Sequence, residues 1–241
     1  VAVYTNAKFY GSSATLYKVA ADGYISLSNT TVADSIQVNY SGGGETSNSN
    51  GEAYLSSVTT PKLTITGGIA RLYGSGVDTV YVKPWGALHI ITSANVNALV
   101  LNDYSSTNKV PANLFLYQNA RLDVYSLKMN QSAKIRMNYG SYLQVQYMDM
   151  CYQNTDGWRT QICYYGVPSG GTVAQINYRG TITKGTTGGR NTRATKNSCI
   201  INPGFGTSNS DDNNYWECDW DNSSKGSWSF ETMKNKYRCC K

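Results

Sequence analysis

The hydrophobic and polar residues of the first 150 positions alternate with a period of two in short segments. One unit recurs, in which a small residue is followed two positions later by Leu or Ile, and usually by an aliphatic residue two positions after that. This unit occupies residues 23–27, 86–90, 120–124, 133–137 and 141–145, with weaker copies at 53–55 and 70–72. Since successive side chains of a strand point to opposite faces, the alternation predicts half-buried β-strands.

The alternation also predicts which side chains face the core. Aliphatic positions in four of the units are expected to be buried, namely Leu88, Leu122, Ile135 and Leu143. The residues that follow them are expected to face away from the core, namely His89, Asp123, Arg136 and Gln144. The small residue ahead of each strand suits a tight corner, where a Cβ atom would crowd a neighbouring turn of the chain.

Two architectures fit strands that follow one another about every 8 to 17 residues between positions 63 and 148. A right-handed β-solenoid stacks such units around a continuous aliphatic core. An antiparallel β-sandwich arranges them in two sheets joined by short turns. This region has no Asn-Gly or Asp-Gly pair that would close a hairpin, which favours the solenoid. The pair Asp22-Gly23 predicts a hairpin-like cap in the first thirty residues.

The composition is that of a folded all-β protein. Hydrophobic residues make up 40% of the 241 residues and charged residues only 15%, which excludes the low-hydrophobicity, high-charge pattern of disorder. Tyr, Thr, Val, Ser, Asn and Gly are abundant, as in strands and turns rather than long helices. No apolar run is long enough to cross a bilayer, so no membrane span is predicted.

All six cysteines lie after residue 150, at Cys151, Cys163, Cys199, Cys218, Cys239 and Cys240. At the same place the alternating segments give way to irregular stretches rich in Gly, Asn and Ser. The chain is therefore predicted to have two parts, a repetitive β domain over residues 1–150 and a disulfide-rich, irregular β domain over residues 151–241.

The cysteine spacing favours disulfides over a metal site. There is no CxxC pair and only one histidine, whereas structural zinc sites need closely spaced ligands. Three disulfides would imply export to an oxidising compartment, so an extracellular or cell-surface location is expected. Six cysteines allow 15 pairings, and the spacing does not choose among them. The first residues lack the basic start and apolar stretch of a signal peptide, which predicts a mature product.

The units between residues 63 and 148 resemble the β-helical passenger regions of secreted bacterial surface proteins, the autotransporter and filamentous-haemagglutinin style of adhesin. The resemblance implies an extracellular adhesive or scaffolding role on a rigid rod, without catalytic residues. The Cys-rich tail, from residue 213 onward, is similar to the disulfide-closed ends of some exported filament subunits.

No group of residues indicates catalysis. The only histidine, His89, lies on the polar side of a strand, and no GxSxG motif is present. The cysteines are expected to be consumed in disulfides, and Asp103 and Asp123, the acids that could share a face, do not form a cluster. We therefore predict a protein that is not an enzyme and has no catalytic residues and no cofactor.

Two features of the C-terminal part have alternative interpretations. The acid-rich run at residues 211–222 lacks the spacing of a calcium-binding loop, so no metal site is predicted. Trp216, Trp220 and Trp228 are interleaved with these polar residues. They could contact a glycan by ring stacking, or form the core of a small disulfide-closed domain.

The net charge is +6, and residues 179–196 carry several basic residues without an acid. No nucleic-acid-binding signature accompanies them, so a solvated loop or docking on a neighbouring subunit is favoured over a nucleic-acid partner.

Together these patterns predict an extracellular structural or adhesive protein, either a subunit of a cell-surface filament or layer or the exposed module of an adhesin. The expected partners are further copies of the chain or another surface protein, and a glycan. The alternative is a carbohydrate-binding or carbohydrate-cleaving module such as a phage tailspike.

Overall fold

The computed structural model describes residues 1–39, 51–102, 112–130, 133–138 and 140–150, and beyond them the strands 161–165, 175–178, 182–184, 197–202, 216–220 and 226–229. It describes side chains up to residue 146. The described part is all-β and contains no helix.

The strands form two sheets, and consecutive strands of the repetitive part lie in different sheets. The eleven-stranded sheet contains β1 (Ala2–Val3), β3 (Thr15–Ala21), β5 (Thr31–Asn39), β7 (Thr59–Thr66), β9 (Ser75–Val82), β11 (Ser93–Leu101), β13 (Arg121–Met129), β15 (Tyr142–Met150), β17 (Gln175–Tyr178), β18 (Ile182–Lys184) and β21 (Gly226–Ser229). The ten-stranded sheet contains β2 (Lys8–Ser12), β4 (Tyr24–Ser28), β6 (Glu52–Ser56), β8 (Ile69–Tyr73), β10 (Ala87–Ile90), β12 (Asn113–Leu116), β14 (Lys134–Asn138), β16 (Gln161–Tyr165), β19 (Asn197–Asn202) and β20 (Trp216–Trp220).

Pairing within both sheets is parallel from β1 to β19. One strand of each sheet together with its two corners makes a repeat. Lys8 pairs with Tyr24, Glu52 with Ile69 and Ile69 with Ala87, so successive repeats add 16, 17 or 18 residues where no insertion intervenes. Parallel pairing differs from the hairpin pairing of an antiparallel sandwich and is compatible with a β-solenoid.

The core lies between the two sheets and consists of aliphatic side chains stacked in register. The inward columns of the ten-stranded sheet are Ile25, Ala53, Ala70, Leu88, Leu114 and Ile135, and Leu27, Leu55, Leu72, Ile90, Leu116 and Met137. Facing columns of the eleven-stranded sheet are Ile36, Leu63, Val80, Leu99 and Leu127, and Val38, Ile65, Val82, Leu101 and Met129. All belong to one buried cluster, which is the continuous core expected of stacked repeats.

The predicted strand phase is confirmed. Leu88, Leu122, Ile135 and Leu143 are fully buried. Each of the following residues, His89, Asp123, Arg136 and Gln144, lies on the outer side with partial exposure.

Small residues occupy the corner ahead of each of the seven strands from β2 to β14 in the ten-stranded sheet, as expected from the recurring unit. They form one column, Ala7, Gly23, Gly51, Gly68, Gly86, Ala112 and Ala133, in which the carbonyl of each of the first six accepts a hydrogen bond from the first residue of the next strand of that sheet. A Cβ atom on Gly23 would lie 2.4 Å from the carbonyl oxygen of Tyr4, and one on Gly86 would lie 2.8 Å from that of Ile65. The column therefore admits only the smallest side chains.

The predicted hairpin-like cap at Asp22-Gly23 is wrong. These residues connect β3 to β4, which lie in different sheets, and β4 pairs in parallel with β2 and β6. Gly23 thus forms an inter-sheet corner, where its missing side chain allows close backbone contact with the preceding repeat.

The predicted domain boundary near residue 150 stays a prediction. Parallel pairing continues beyond it, because β16 pairs with β14 and β17 with β15. The antiparallel pairs among the described strands, β19 with β20 and β17 with β21, come after residue 150.

Candidate functional site

The outer face of the ten-stranded sheet carries a continuous line of aromatic and cationic side chains. Because the strands pair without offset, outward residues at the middle of each strand align across the sheet. This column is Tyr10, Ser26, Tyr54, Arg71, His89, Phe115 and Arg136. Together with the adjoining Tyr24, Tyr73 and Tyr117, the rings and cations of this column are called the aromatic strip.

Ring contacts connect neighbouring strands of the strip from β2 to β8 and from β10 to β12. The centroids of Tyr10 and Tyr24 are 5.6 Å apart, those of Tyr24 and Tyr54 5.2 Å, and those of Tyr54 and Tyr73 6.4 Å. Further along, the His89 ring lies 4.6 Å from Phe115 and 5.6 Å from Tyr117. These separations fall in the range of favourable aromatic pairs, so the strip is an ordered surface.

Two arginines lie over rings of the strip. The guanidinium of Arg71 is 4.7 Å from the centroid of Tyr54, and that of Arg136 is 5.2 Å from Phe115. Arg71 also forms an ion pair with Glu52, which lies on the adjacent strand β6. These cation–π contacts keep each guanidinium beside a partly exposed ring of the strip.

His89 is neutral at physiological pH. Burial, with a smaller contribution from the nearby Arg71 cation, lowers the pKa of His89 from 6.5 to about 4. Its Nδ1 lies 3.1 Å from the hydroxyl oxygen of Tyr117, and the two groups share a hydrogen bond. The predicted outward position of His89 is confirmed, and in that position its ring is one member of the aromatic strip.

Tyr54 of the strip also remains neutral. Burial raises the pKa of Tyr54 above its usual value of 10.0, and the neighbouring hydroxyls of Tyr24, Tyr73 and Tyr117 add to the shift. Formal charge on this face therefore comes from Lys, Arg and Glu side chains.

The charged residues of this outer face are mainly basic. Lys8, Glu52 and Lys134 belong to the column of outward residues that begins the strands. With Arg71 and Arg136, the cations thus lie on β2, β8 and β14. Among the described outward positions of this sheet's seven strands from β2 to β14, Glu52 is the one carboxylate.

The outer face of the eleven-stranded sheet also carries an arginine beside an acidic side chain and a tyrosine ring. Arg121 forms a two-point ion pair with Asp123, with nitrogen–oxygen distances of 2.8 and 2.9 Å, and its guanidinium lies 4.7 Å from the Tyr142 ring. The hydrogen bond from Arg121 to Asp123 is the main cause of the raised pKa of Arg121. Arg121 is therefore a matched comparison for Arg71, because each arginine contacts a tyrosine ring and pairs with an acidic side chain.

The remaining predicted site residues lie in or beyond the C-terminal strands. Trp216 and Trp220 are on β20 in the ten-stranded sheet, whereas Trp228 is on β21 in the eleven-stranded sheet. Their side chains lie outside the described part, as does Asp103, so the predicted glycan contact at these tryptophans stays a prediction.

The cysteines are described only in part. Cys199 on β19 and Cys218 on β20 are register partners in the antiparallel pair, and Cys163 is on β16. Residues 151, 239 and 240 lie outside the described part. Among the described residues, no group of three or more His, Cys, Asp or Glu side chains could hold a metal ion.

The aromatic strip itself was not predicted from the sequence. Outward tyrosines are visible in the alternation, but their alignment depends on the register between strands separated by 16 to 28 residues. One sequence signal could have indicated the strip. The middle outward position is aromatic or basic in most strands of the ten-stranded sheet from β2 to β14.

The described part of the chain contains no long apolar helix of the kind that spans a bilayer. Comparison of the sequence and structure with protein-family models, with curated proteins and with solved structures gave no match.

Proposed function

We propose that this chain is an extracellular adhesive protein, a right-handed β-solenoid rod that contacts other surfaces through the aromatic strip. The observation that carries the proposal is the strip itself, which continues across the strands from β2 to β14 on one outer face. Large aromatic side chains on a solvent-facing sheet are typical of interaction surfaces.

The exposure of the outer rings supports a contact role. Tyr10 is 66% exposed and Tyr117 38% exposed, so these rings are available to a partner. Tyrosine combines a large flat apolar face with a hydroxyl group at low conformational cost, which suits a surface that binds in water.

The repeats support the rod. Each strand pairs only with its neighbours in the same sheet, and the aliphatic columns continue from one repeat to the next. Crossovers between parallel strands of one sheet are almost always right-handed, which favours a right-handed solenoid. Such a body is stiff along its axis and presents the same face over its whole length.

Self-association through the ends of the rod is part of the proposal. A stack of parallel strands has unpaired backbone groups at its terminal strands, and these pair readily with another copy unless they are capped. Filament formation would then join many aromatic strips end to end.

Adhesion is tested by retention on beads coated with polysaccharides, with unrelated proteins or with the chain itself. We expect retention that falls sharply in the double variant Tyr10→Ser/Tyr117→Ser. The matched control is Tyr17→Ser/Tyr125→Ser, which removes tyrosines that are 76% and 55% exposed and lie on β3 and β13 of the other sheet. Equal loss in both double variants, or retention by neither the wild type nor the variants, would contradict the proposal.

An assay for new reducing or unsaturated ends distinguishes the alternative, a carbohydrate-cleaving module, from the adhesive function. We expect none to be released from acidic or neutral polysaccharides. Release of such ends that depends on His89, Asp103 or Asp123 would replace the adhesive function with a depolymerase.

A further inference from the structure

We propose that the aromatic strip binds one extended chain of an acidic polysaccharide, lying across the strands with its sugar rings against the tyrosines and its carboxylates beside Arg71 and Arg136. The inference rests on the proposed function, because it names the ligand of the same contact surface.

The spacing of the strip suits an extended sugar chain. Neighbouring strands are about 4.8 Å apart, so the seven strands from β2 to β14 span roughly 29 Å. One pyranose unit of an extended chain is comparable in length to one strand spacing. A chain that crosses the strands can therefore keep its rings in step with successive outward side chains.

The chemistry of the strip suits sugar rings. The flat ring of Tyr24 contacts those of Tyr10 and Tyr54, and Ser26, which lies between Tyr10 and Tyr54 in the same column, supplies a hydroxyl. Apolar ring faces with hydroxyl groups at their edges match the apolar faces and equatorial hydroxyls of a pyranose.

The charge on this face selects an acidic chain. Within the ten-stranded sheet, cations recur at every third strand, with Lys8 on β2, Arg71 on β8, and Lys134 and Arg136 on β14. Three strand spacings correspond to about 14 Å. Among the described outward positions of β2 to β14 in the ten-stranded sheet the only carboxylate, Glu52, is already paired with Arg71. The face is thus complementary to a polymer whose carboxylates are spaced along its length.

The same spacing disfavours single-stranded nucleic acid. Nucleic-acid channels combine stacking rings with a basic groove that follows a backbone charged at every nucleotide. Here cations occur only at every third strand of the sheet, which is sparser than one charge per nucleotide. His89, which lies between Arg71 and Phe115, is neutral at physiological pH and adds no charge. A nucleic acid is therefore an alternative outcome of the test.

The test measures dissociation constants by calorimetry for three probes, a soluble oligogalacturonate in which every sugar is a uronic acid, neutral dextran and a 20-nucleotide oligo-dT. We expect the wild type to bind the uronic-acid probe and to bind the other two at least tenfold more weakly. Binding should weaken as salt increases, because part of it is electrostatic.

Three variants locate the site. Arg71→Gln should weaken binding of the uronic-acid probe at least fivefold. Glu52→Gln should strengthen it, because a competing carboxylate beside Arg71 is removed. The matched control is Arg121→Gln, since Arg121 also lies 4.7 Å from a tyrosine ring and pairs with an acid, but on the other sheet. It should leave binding unchanged.

If Arg71→Gln fails to fold, as judged by circular dichroism, two other variants test the inference. Replacing the exposed Tyr10 by Ser should weaken binding of the uronic-acid probe, and Glu52→Gln should strengthen it. Tighter binding of oligo-dT, equal weakening by Arg71→Gln and Arg121→Gln, or no binding of the uronic-acid probe would overturn the inference. If the wild type is retained on beads through Tyr10 and Tyr117 yet binds no acidic polysaccharide, the adhesive function stands and only the ligand class is wrong.

Discussion

His89 is a residue whose titration connects stability to pH. In the unfolded chain a histidine takes up a proton near pH 6.5, whereas in the folded protein the pKa of His89 is about 4. Between these values the unfolded state binds more protons, so the free energy of unfolding falls as the pH is lowered. We expect a loss approaching about 1.4 kcal/mol per pH unit in this window, and full stability above pH 6.5.

Urea unfolding at pH 7, 6 and 5 measures this effect, and His89 is the only histidine in the chain. The variant His89→Gln should remove most of the slope between pH 7 and 5, where carboxylates are still largely ionised. An unchanged slope in the variant would show that other groups cause it.

Leu122 and Asp123 are adjacent residues with opposite environments. Leu122 is fully buried, and Asp123 lies outward in an exposed ion pair with Arg121. Leu122→Ala should cost about 2 to 5 kcal/mol of unfolding free energy because it leaves a cavity. Asp123→Ala should change stability by no more than about 0.5 kcal/mol. Chemical denaturation measures both, and a larger cost for the aspartate would contradict this assignment.

At the scale of single residues, alternation was sufficient to predict orientation. It placed Leu88 inward and His89 outward, because the period of two is a local property of a strand. It could not predict that His89 meets Tyr117, because that contact depends on pairing between β10 and β12, which are separated by an insertion.

At the scale of the element, the column of small corner residues gives a direct prediction. Gly23→Ala places a Cβ atom 2.4 Å from the Tyr4 carbonyl oxygen, so the backbone must shift. We expect a loss of about 1 to 3 kcal/mol, as for other overpacked sites. Thermal or urea denaturation measures it.

Gly76→Ala is the control for this prediction. Gly76 lies within β9, and a Cβ atom there would meet nothing within 4 Å. Alanine restricts the unfolded chain, so the variant should be as stable as the wild type or more stable by about 0.5 kcal/mol. If both glycine variants lose the same stability, crowding at the corner is not the cause.

The corners also show why one local prediction failed. Asp-Gly pairs close hairpins when both residues adopt positive φ values. Gly23 is not among the glycines with positive φ, and its role is close approach to the backbone of the preceding repeat. A dipeptide does not distinguish these two uses of glycine, because the second depends on a neighbour that is remote in sequence.

At the scale of the whole molecule, the cysteines are predicted to form disulfides, and the strand register suggests one pair. Cys199 and Cys218 are directly opposite in the antiparallel pair of β19 and β20. Directly opposite residues of such a pair have Cα atoms about 4.5 to 5.5 Å apart, which is within the range that a disulfide spans. We expect proteolysis and mass spectrometry of unreduced protein to recover a peptide linked through these two residues.

Thiol titration of the unfolded, unreduced protein should accompany this mapping and find no free thiol. Two or more free thiols would contradict the predicted disulfides, whereas a different partner for Cys199 would contradict only the pairing. Reduction should destabilise residues 151–241 more than the repeats before them, since all six cysteines follow residue 150.

The all-β class could be predicted from the alternation. Parallel stacking was favoured over an antiparallel sandwich because one unit, with its own corner and strand, recurs. The aromatic strip could not be predicted, since it arises only when seven strands of one sheet are aligned.

The register between repeats has an evolutionary consequence. Residues 69–86 make one full repeat, and its removal would bring Ala87 beside Glu52, Leu88 beside Ala53 and Leu99 beside Leu63, with aliphatic columns and corner glycines still matched. The gene can therefore lengthen or shorten the rod by duplicating or losing whole repeats. Gain or loss of a single residue within a strand would instead turn aliphatic side chains toward solvent.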